Sequence, residues 1–96
     1  MIFEQFRSSL DANQPPGDAS PLLVALWWEA KGNWPKAHEI TQEIDSPDAA
    51  WVHAYLHRKE GDEGNAGYWY SRSGKPHSKA SLEAEWEAIV RELIQR

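Results

Sequence analysis

One short pattern occurs twice in this chain and constrains its fold more than any other feature. A small residue, a Gly-Asn or Gly-Asp pair and a second small residue recur with an offset of 29 residues, as Ala25, Gly32-Asn33, Ala37 and then Ala54, Gly61-Asp62, Ala66. The first Ala lets two helices approach closely, the Gly pair reverses the chain, and the second Ala packs the returning helix. The repeat therefore predicts two antiparallel helical hairpins that cover each other's apolar faces.

The residues expected at helix ends agree with this arrangement. Ser20-Pro21 and Ser46-Pro47 each combine an N-cap residue with Pro at the first helical position. Gly32, Gly61 and Gly74 supply the residue that ends a helix. The predicted helices are the first dozen residues, 21–31, 34–44, 47–60, 62–73 and 81–95.

No segment alternates apolar and polar residues over strand length without also fitting a helical period, so the predicted class is all-α. We expect one domain over residues 1–96 with five to six helices. Its two stacked hairpins cover about 20–46 and 47–76, and a helix flanks them at each end. The flanking helix at 81–95 carries an apolar stripe and needs a surface to cover.

Composition limits the classes of function. The absence of Cys excludes disulfide scaffolds, thiolate zinc sites and cysteine nucleophiles, and it fits a reducing compartment. A formal charge of -5 works against nucleic-acid binding. The longest apolar run, residues 22–28, is far below the roughly 20 residues that span a bilayer, and the N-terminus does not match a secretory signal. We therefore expect a cytoplasmic protein with neither a nucleic-acid nor a membrane partner.

The hairpin segments ALWWEAKGNWPKAHEITQEIDSP and AYLHRKEGDEGNAGYWYSRSGKP resemble tetratricopeptide repeats. Both carry the small residue, the Gly-Asn/Asp turn, the following Ala and a Pro after the second helix. Trp34 supplies the aromatic residue after the first turn, whereas Glu63-Gly64 follows the second. The repeat is shorter than the usual ~34 residues, and it occurs twice rather than three times. The resemblance implies a helical interaction scaffold and specifies no ligand.

In tetratricopeptide domains the first helix of each hairpin lines a concave groove that holds a peptide. By this resemblance the groove-facing positions of the chain are Leu22, Leu26, Glu29, Ala30, Trp51, Tyr55, Arg58 and Lys59. Rings and cations together suit a carboxylate or an acidic-ended peptide. The alternative is that the helix at 81–95 fills the groove and covers Trp51 and Tyr55.

His53 and His57 are the sharpest chemical feature, because i and i+4 lie on one face of a helix, with Glu60 one turn further on. A metal site needs three or four ligands, so another would have to come from elsewhere in the fold. The candidates are His38, His77 and Asp62.

The spacing guarantees none of these ligands, and Ala54 stands where a zinc hydrolase of the HExxH type has Glu. We therefore interpret both imidazoles as hydrogen-bonded core residues and assign no metal, cofactor or catalytic residue. The alternative is that His53 and His57 form a metal or acid-base site of a small enzyme or sensor.

Two further groups of side chains are assigned by helical geometry. We expect Ala66, Trp69 and Ser73 to face the core, which leaves Tyr68 and Arg72 exposed as possible contact residues. The carboxylates of the last helix are predicted to form a solvated face; they are Glu83, Glu85, Glu87 and Glu92.

Six Trp residues are more than one small core obviously requires, so some of the rings are expected to serve a surface. Our first functional hypothesis is a non-enzymatic module that binds a protein or peptide, or a second copy of itself. The histidine site is the second hypothesis. The third is a structural accessory domain of a larger assembly.

Overall fold

The computed structural model describes residues 1–96, which form helices and turns without any strand. A 3-10 turn at Ser9–Asp11 extends the first of six α-helices, which are α1 Phe3–Ser8, α2 Pro21–Ala30, α3 Trp34–Gln42, α4 Pro47–Lys59, α5 Glu63–Ser73 and α6 Leu82–Ile94. The all-α class is thus confirmed, and each predicted helix is present with ends that differ by at most a few residues. No helix is both long and apolar enough to cross a membrane.

The two hairpin turns have the same construction. Gly32 and Gly61 have φ of 92° and 88°, a left-handed conformation that side chains with a Cβ rarely adopt. Directly after them, Asn33 caps α3 and Asp62 caps α5, each accepting a 3.2 Å hydrogen bond from the backbone N–H three residues on. The chain therefore reverses between α2 and α3, and again between α4 and α5.

The small residues of the repeat lie where the helices touch. Ala25, Ala37, Ala54 and Ala66 are all fully buried. α2 packs on α3, α4 packs on α5, and α4 also contacts α2, α3 and α6, so it is the central helix of the domain. Nine consecutive residues of α4, from position 49 to position 57, are buried as a result.

The flanking helices complete the core. α6 lies across α2 and α4, and the Trp86 indole N–H donates to the backbone carbonyl of Leu26 at 3.1 Å. α1 packs on α6, with the rings of Phe3 and Phe6 centred 6.1 and 5.9 Å from that of Trp86. The N-terminal helix is therefore part of the core.

Two side-chain predictions are wrong. Tyr70, rather than Trp69, is the buried ring of α5, because Tyr70 lies four residues after the buried Ala66 and its hydroxyl bonds to Glu85. Glu85 is only 4 % exposed instead of solvated. It lies four residues before the buried Ile89 and so belongs to the apolar stripe of α6.

The Trp residues are used mainly for packing. Trp27, Trp51 and Trp86 are buried, while Trp28, Trp34 and Trp69 are half-buried. None is exposed, so the expected exposed Trp surface is absent.

Candidate functional site

Three histidines meet between the two hairpins. His38 comes from α3, and His53 and His57 come from successive turns of α4. One ring nitrogen of each lies within 4.8 Å of the others. We call these three residues the histidine cluster. His53 and His57 are 7 % and 9 % exposed, and His38 is half-buried at the rim.

Hydrogen bonds orient the cluster. The Nε2 atoms of His38 and His53 are 3.0 Å apart, so one of them carries the shared proton. Nδ1 of His57 is 2.6 Å from Oε2 of Glu60. When His57 donates from Nδ1 to this carboxylate, its Nε2 keeps a free lone pair, which is the usual relay from carboxylate to imidazole to metal.

Two indole rings hold the imidazoles in place. Trp34 stacks on His38 with ring centroids 4.9 Å apart, and Trp69 stacks on His53 at 3.9 Å; the interplanar angle is 10° in both pairs. Trp34 is itself anchored by a 2.7 Å hydrogen bond from its indole N–H to the carbonyl of Leu56. The ring positions are therefore set by packing rather than by solvent.

The electrostatics of the cluster favour neutral imidazoles at His38 and His53. Burial, together with smaller effects of the neighbouring His38 and His57, lowers the pKa of His53 to about 4. The pKa of His38 is also lowered, first by burial and then by His57, while Glu60 opposes the shift. Neutral imidazole is the form that binds a metal ion. Because one Nε2 of the His38–His53 pair carries the shared proton, that ring would bind an ion through Nε2 only after its proton moves to Nδ1.

The spacing of the nitrogens matches a metal site. For Zn–N bonds of 2.0–2.1 Å in a tetrahedron, two ligand nitrogens stand about 3.3 Å apart. The observed Nε2 to Nε2 distance of 3.0 Å between His38 and His53 is close to this value. These two nitrogens therefore already stand near the spacing of two ligands of one ion, and the nitrogen of His57 lies within 4.8 Å of both.

The other predicted third ligands do not join the cluster. His77 is paired with Glu63 at 3.1 Å instead. Asp62 lies near His57 and Glu60 as an exposed group, but its carboxylate already caps α5. Of the three candidates that the sequence offered, only His38 joins both His53 and His57, because α3 packs against α4.

The groove proposed from the resemblance is largely filled. Trp51 and Tyr55 are buried, and the Trp51 indole N–H donates to Glu85 of α6 at 3.3 Å. Arg58 is bound to the same carboxylate at 2.8 Å, and Lys59 is paired with Glu29. α6 therefore covers these rings, as in the filled-groove alternative, and only a cleft beside the start of α6 is left along the groove positions Glu29, Ala30, Tyr55 and Lys59.

Tyr68 and Arg72 lie on the surface as expected. Tyr68 is 53 % exposed, and its hydroxyl accepts a 2.9 Å hydrogen bond from Arg72. Both side chains are exposed and bond to each other rather than to the core. A protein contact at this pair stays a prediction.

Sequence reasoning missed two buried carboxylates. Glu29 is 2 % exposed and Glu85 4 %. The signal for Glu29 was its position as the one acidic residue of the otherwise apolar α2. For Glu85 the signal was its helical register with Ile89, which places the two on one face.

Comparison of the chain with protein-family profiles, with curated proteins and with solved structures gave no match.

Proposed function

We propose that this chain is a metal-binding helical module that holds one divalent transition-metal ion at His38, His53 and His57. The observation that carries the proposal is the convergence of three ring nitrogens within 4.8 Å, from residues on two helices. Three imidazoles are a known set for zinc, with a fourth position left for water or a ligand, and imidazole also suits copper, nickel and iron.

At His53 the surroundings favour a metal ligand over an acid-base group. A general acid or base works best with a pKa near the operating pH, whereas burial holds the pKa of His53 at about 4. A lone pair that stays free of protons at neutral pH is what a metal ligand needs. Glu60 orients His57 as a carboxylate beside a ligand does.

The scaffold proposed for this site is tetratricopeptide-like. Its support is the matched pair of turns, in which Gly32 and Gly61 share a left-handed φ and Asn33 and Asp62 share a capping role. In this proposal the groove filled by α6 is not a peptide site, and the histidine cluster between the hairpins is the functional feature.

The test is titration of chelator-treated protein with Zn²⁺ and with Co²⁺, followed by calorimetry and by the visible spectrum of bound cobalt. We expect one ion per chain. His38→Ala should weaken binding at least tenfold, and Glu60→Gln should weaken it about tenfold, as removal of such outer partners does.

His77→Ala is the matched control, because His77 is an exposed histidine paired with a carboxylate outside the cluster. Since His38 lies at the rim, its removal should leave the circular dichroism spectrum unchanged. Equal and weak binding by wild type, His38→Ala and His77→Ala would mean that the cluster is held by hydrogen bonds alone.

A further inference from the structure

A cleft of about 430 Å³ lies between the turn that joins α3 to α4 and the second half of α5. This volume is within the range of small-molecule sites. Ile44, Pro47 and Trp69 contribute apolar surface to its lining. Two charged side chains also line it, Asp45 from the turn and Arg72 from α5, and both are exposed to solvent. A ligand in this cleft would therefore meet one acid, one base and an apolar surface.

The guanidinium of Arg72 has no carboxylate partner, although it is held in place. Arg58 and Arg96, by contrast, each form an ion pair with a carboxylate. Arg72 donates instead to the Tyr68 hydroxyl at 2.9 Å, and its Cζ lies 5.7 and 5.4 Å from the ring centroids of Tyr68 and Trp69. The two rings thus position the guanidinium, and its other N–H groups remain available to a ligand.

The carboxylate of Asp45 stands on the other wall of the cleft. Its backbone directly precedes Ser46, which caps α4 by accepting a 3.1 Å hydrogen bond from the N–H of Ala49. The hydrogen bond to Tyr68 is the first cause of the raised pKa of Arg72, and the charge of Asp45 adds to it. No ion pair joins Asp45 to Arg72, however, so each charge remains open to a ligand.

We propose that this cleft binds a free α-amino acid with an apolar side chain. The carboxylate of the ligand accepts hydrogen bonds from the guanidinium of Arg72, and its ammonium group donates to Asp45. The side chain of the ligand packs against Ile44 and Trp69. A guanidinium matches the planar geometry of a carboxylate, and a charged partner at each end makes both hydrogen bonds stronger than neutral ones. Because opposite charges line one cleft without meeting, the ligand that satisfies both is one that carries both.

A ligand with a single charge fits this cleft less well. An anion would be attracted by Arg72 and repelled by Asp45, and a cation would meet the reverse. The other polar side chains of the lining are Gln42, Ser46 and His53. These are neutral at pH 7, since the pKa of His53 is about 4. The charges of the cleft therefore balance, and they favour a ligand whose own charges balance.

The experiment compares L-leucine with two analogues that share its apolar body. One is 4-methylpentanoate, which lacks the ammonium group, and the other is 3-methylbutylamine, which lacks the carboxylate. Binding is followed at low salt by ¹⁵N NMR shifts of the Trp69 indole N–H, with the Trp86 indole, bonded to Leu26 in the core, as a distant reference. We expect saturable shifts at Trp69 with leucine. Each analogue should bind about fivefold more weakly, which is the upper end for the loss of an exposed charge pair.

Two variants test the two ends of the ligand separately. Arg72→Gln should weaken leucine binding about fivefold and should not weaken binding of 3-methylbutylamine, which has no carboxylate. Asp45→Asn should weaken leucine binding to a similar extent and should not weaken binding of 4-methylpentanoate. Both residues are exposed, so the circular dichroism spectrum should stay unchanged. Arg7→Gln and Glu43→Gln are the matched controls, because they remove the same charges from exposed positions outside the cleft, and both should bind leucine as wild type does.

Equal binding of leucine and both analogues, leucine binding that neither variant weakens, or no saturable shift at Trp69 would overturn the proposal. The titrations use chelator-treated protein, because amino acids themselves bind transition-metal ions. His38→Ala removes a proposed metal ligand that lies outside the cleft, and it should bind leucine as wild type does. Failure of this proposal is therefore distinct from failure of the metal proposal.

Discussion

The two sides of the central helix α4 bury polar groups in opposite ways. Toward α6, Arg58 and Trp51 donate to the carboxylate of Glu85, so that unlike groups neutralise each other. Toward α3, His53 and His57 face the imidazole of His38, so three groups of the same kind lie together. The carboxylate of Glu85 is thus satisfied by donors within the protein, whereas the histidine side brings three bases together.

The contrast distinguishes buried polar groups that stabilise the fold from buried polar groups that are placed to bind or titrate. A buried charge is tolerated when its partners satisfy every donor and acceptor, as at Glu85. The histidine side instead opposes protonation, because burial and the two neighbouring imidazoles lower the pKa of His53. The carboxylate side should therefore dominate folding stability, and the histidine side should respond to added ions and to acid.

The largest effect is expected at Glu85. Glu85→Ala removes the acceptor of the Tyr70 hydroxyl and leaves the guanidinium of Arg58 without its partner in a mostly buried position. Breaking a buried ion pair by removing one partner costs about 3–5 kcal/mol, so urea denaturation should show a loss of that size in the free energy of unfolding.

Glu83→Ala is the control for this change. Glu83 is also acidic and in the first turn of α6, so both variants lose the same favourable interaction with the helix dipole, but Glu83 is exposed. A shift within about 0.5 kcal/mol is expected for Glu83→Ala. A similarly small loss at Glu85 would mean that its network contributes nothing and that the contrast between the two sides fails.

The second prediction concerns acid and the metal-free protein. The pKa of His53 is about 4 in the folded chain, against a usual 6.5 once it is unfolded. The unfolded state therefore binds the proton more tightly, and stability that is complete above pH 6.5 is lost as the pH falls toward 4. Between pH 7 and pH 4.5 the histidine side should contribute a loss of roughly 2 kcal/mol.

Carboxylates also titrate in this range, so the measurement is a difference between variants. His53→Gln keeps a polar side chain beside His38 and cannot take up a proton, so its free energy of unfolding should fall less steeply with acid than that of wild type. His77→Gln, which changes an exposed histidine, should follow wild type. Parallel curves for all three proteins would contradict a depressed pKa at His53.

The fold could be predicted from the sequence because the residues that begin and end its helices act locally. A left-handed Gly, an Asx cap and a Ser-Pro start each act within a few residues, and Gly32, Asn33 and Ser46 act as predicted. Ala25 and Ala54 were recognised as close-contact positions because the repeat doubled the signal. The buried face of α5 could not be predicted, because Trp69 and Tyr70 both carry large rings. Which ring is buried depends on the hydrogen bond from Tyr70 to Glu85 of α6.

The candidate sites could be predicted only in part, because they depend on which helices pack against each other. The spacing of His53 and His57 is local and was seen, but the arrival of His38 depends on how α3 packs on α4. Glu85 was misassigned because a charged residue at the edge of an apolar stripe is usually solvated. Its burial follows from three donors that converge from α4 and α5, a tertiary fact with no local signature.

The smallest effect is expected at an exposed pair with the same chemistry as Arg58 and Glu85. Arg96 holds the carboxylate of Asp48 through two hydrogen bonds of 2.9 Å, but its side chain is 49 % exposed. Exposed ion pairs contribute about 0.2–1 kcal/mol, and salt screens them. A double-mutant cycle of Arg96→Gln and Asp48→Asn should give about 0.5 kcal/mol of coupling at low salt.

The cycle is needed because Asp48 also lies in the first turn of α4, where its charge interacts favourably with the helix dipole whether or not Arg96 is present. Raising the salt to about 1 M should reduce the coupling between Asp48 and Arg96 toward zero, because the Debye length is then only about 3 Å. The coupling between Arg58 and Glu85 should change much less, because burial shields that pair from ions. If both couplings fell together, burial would not be what separates the two pairs, and the stability assigned to the carboxylate side of α4 would have another source.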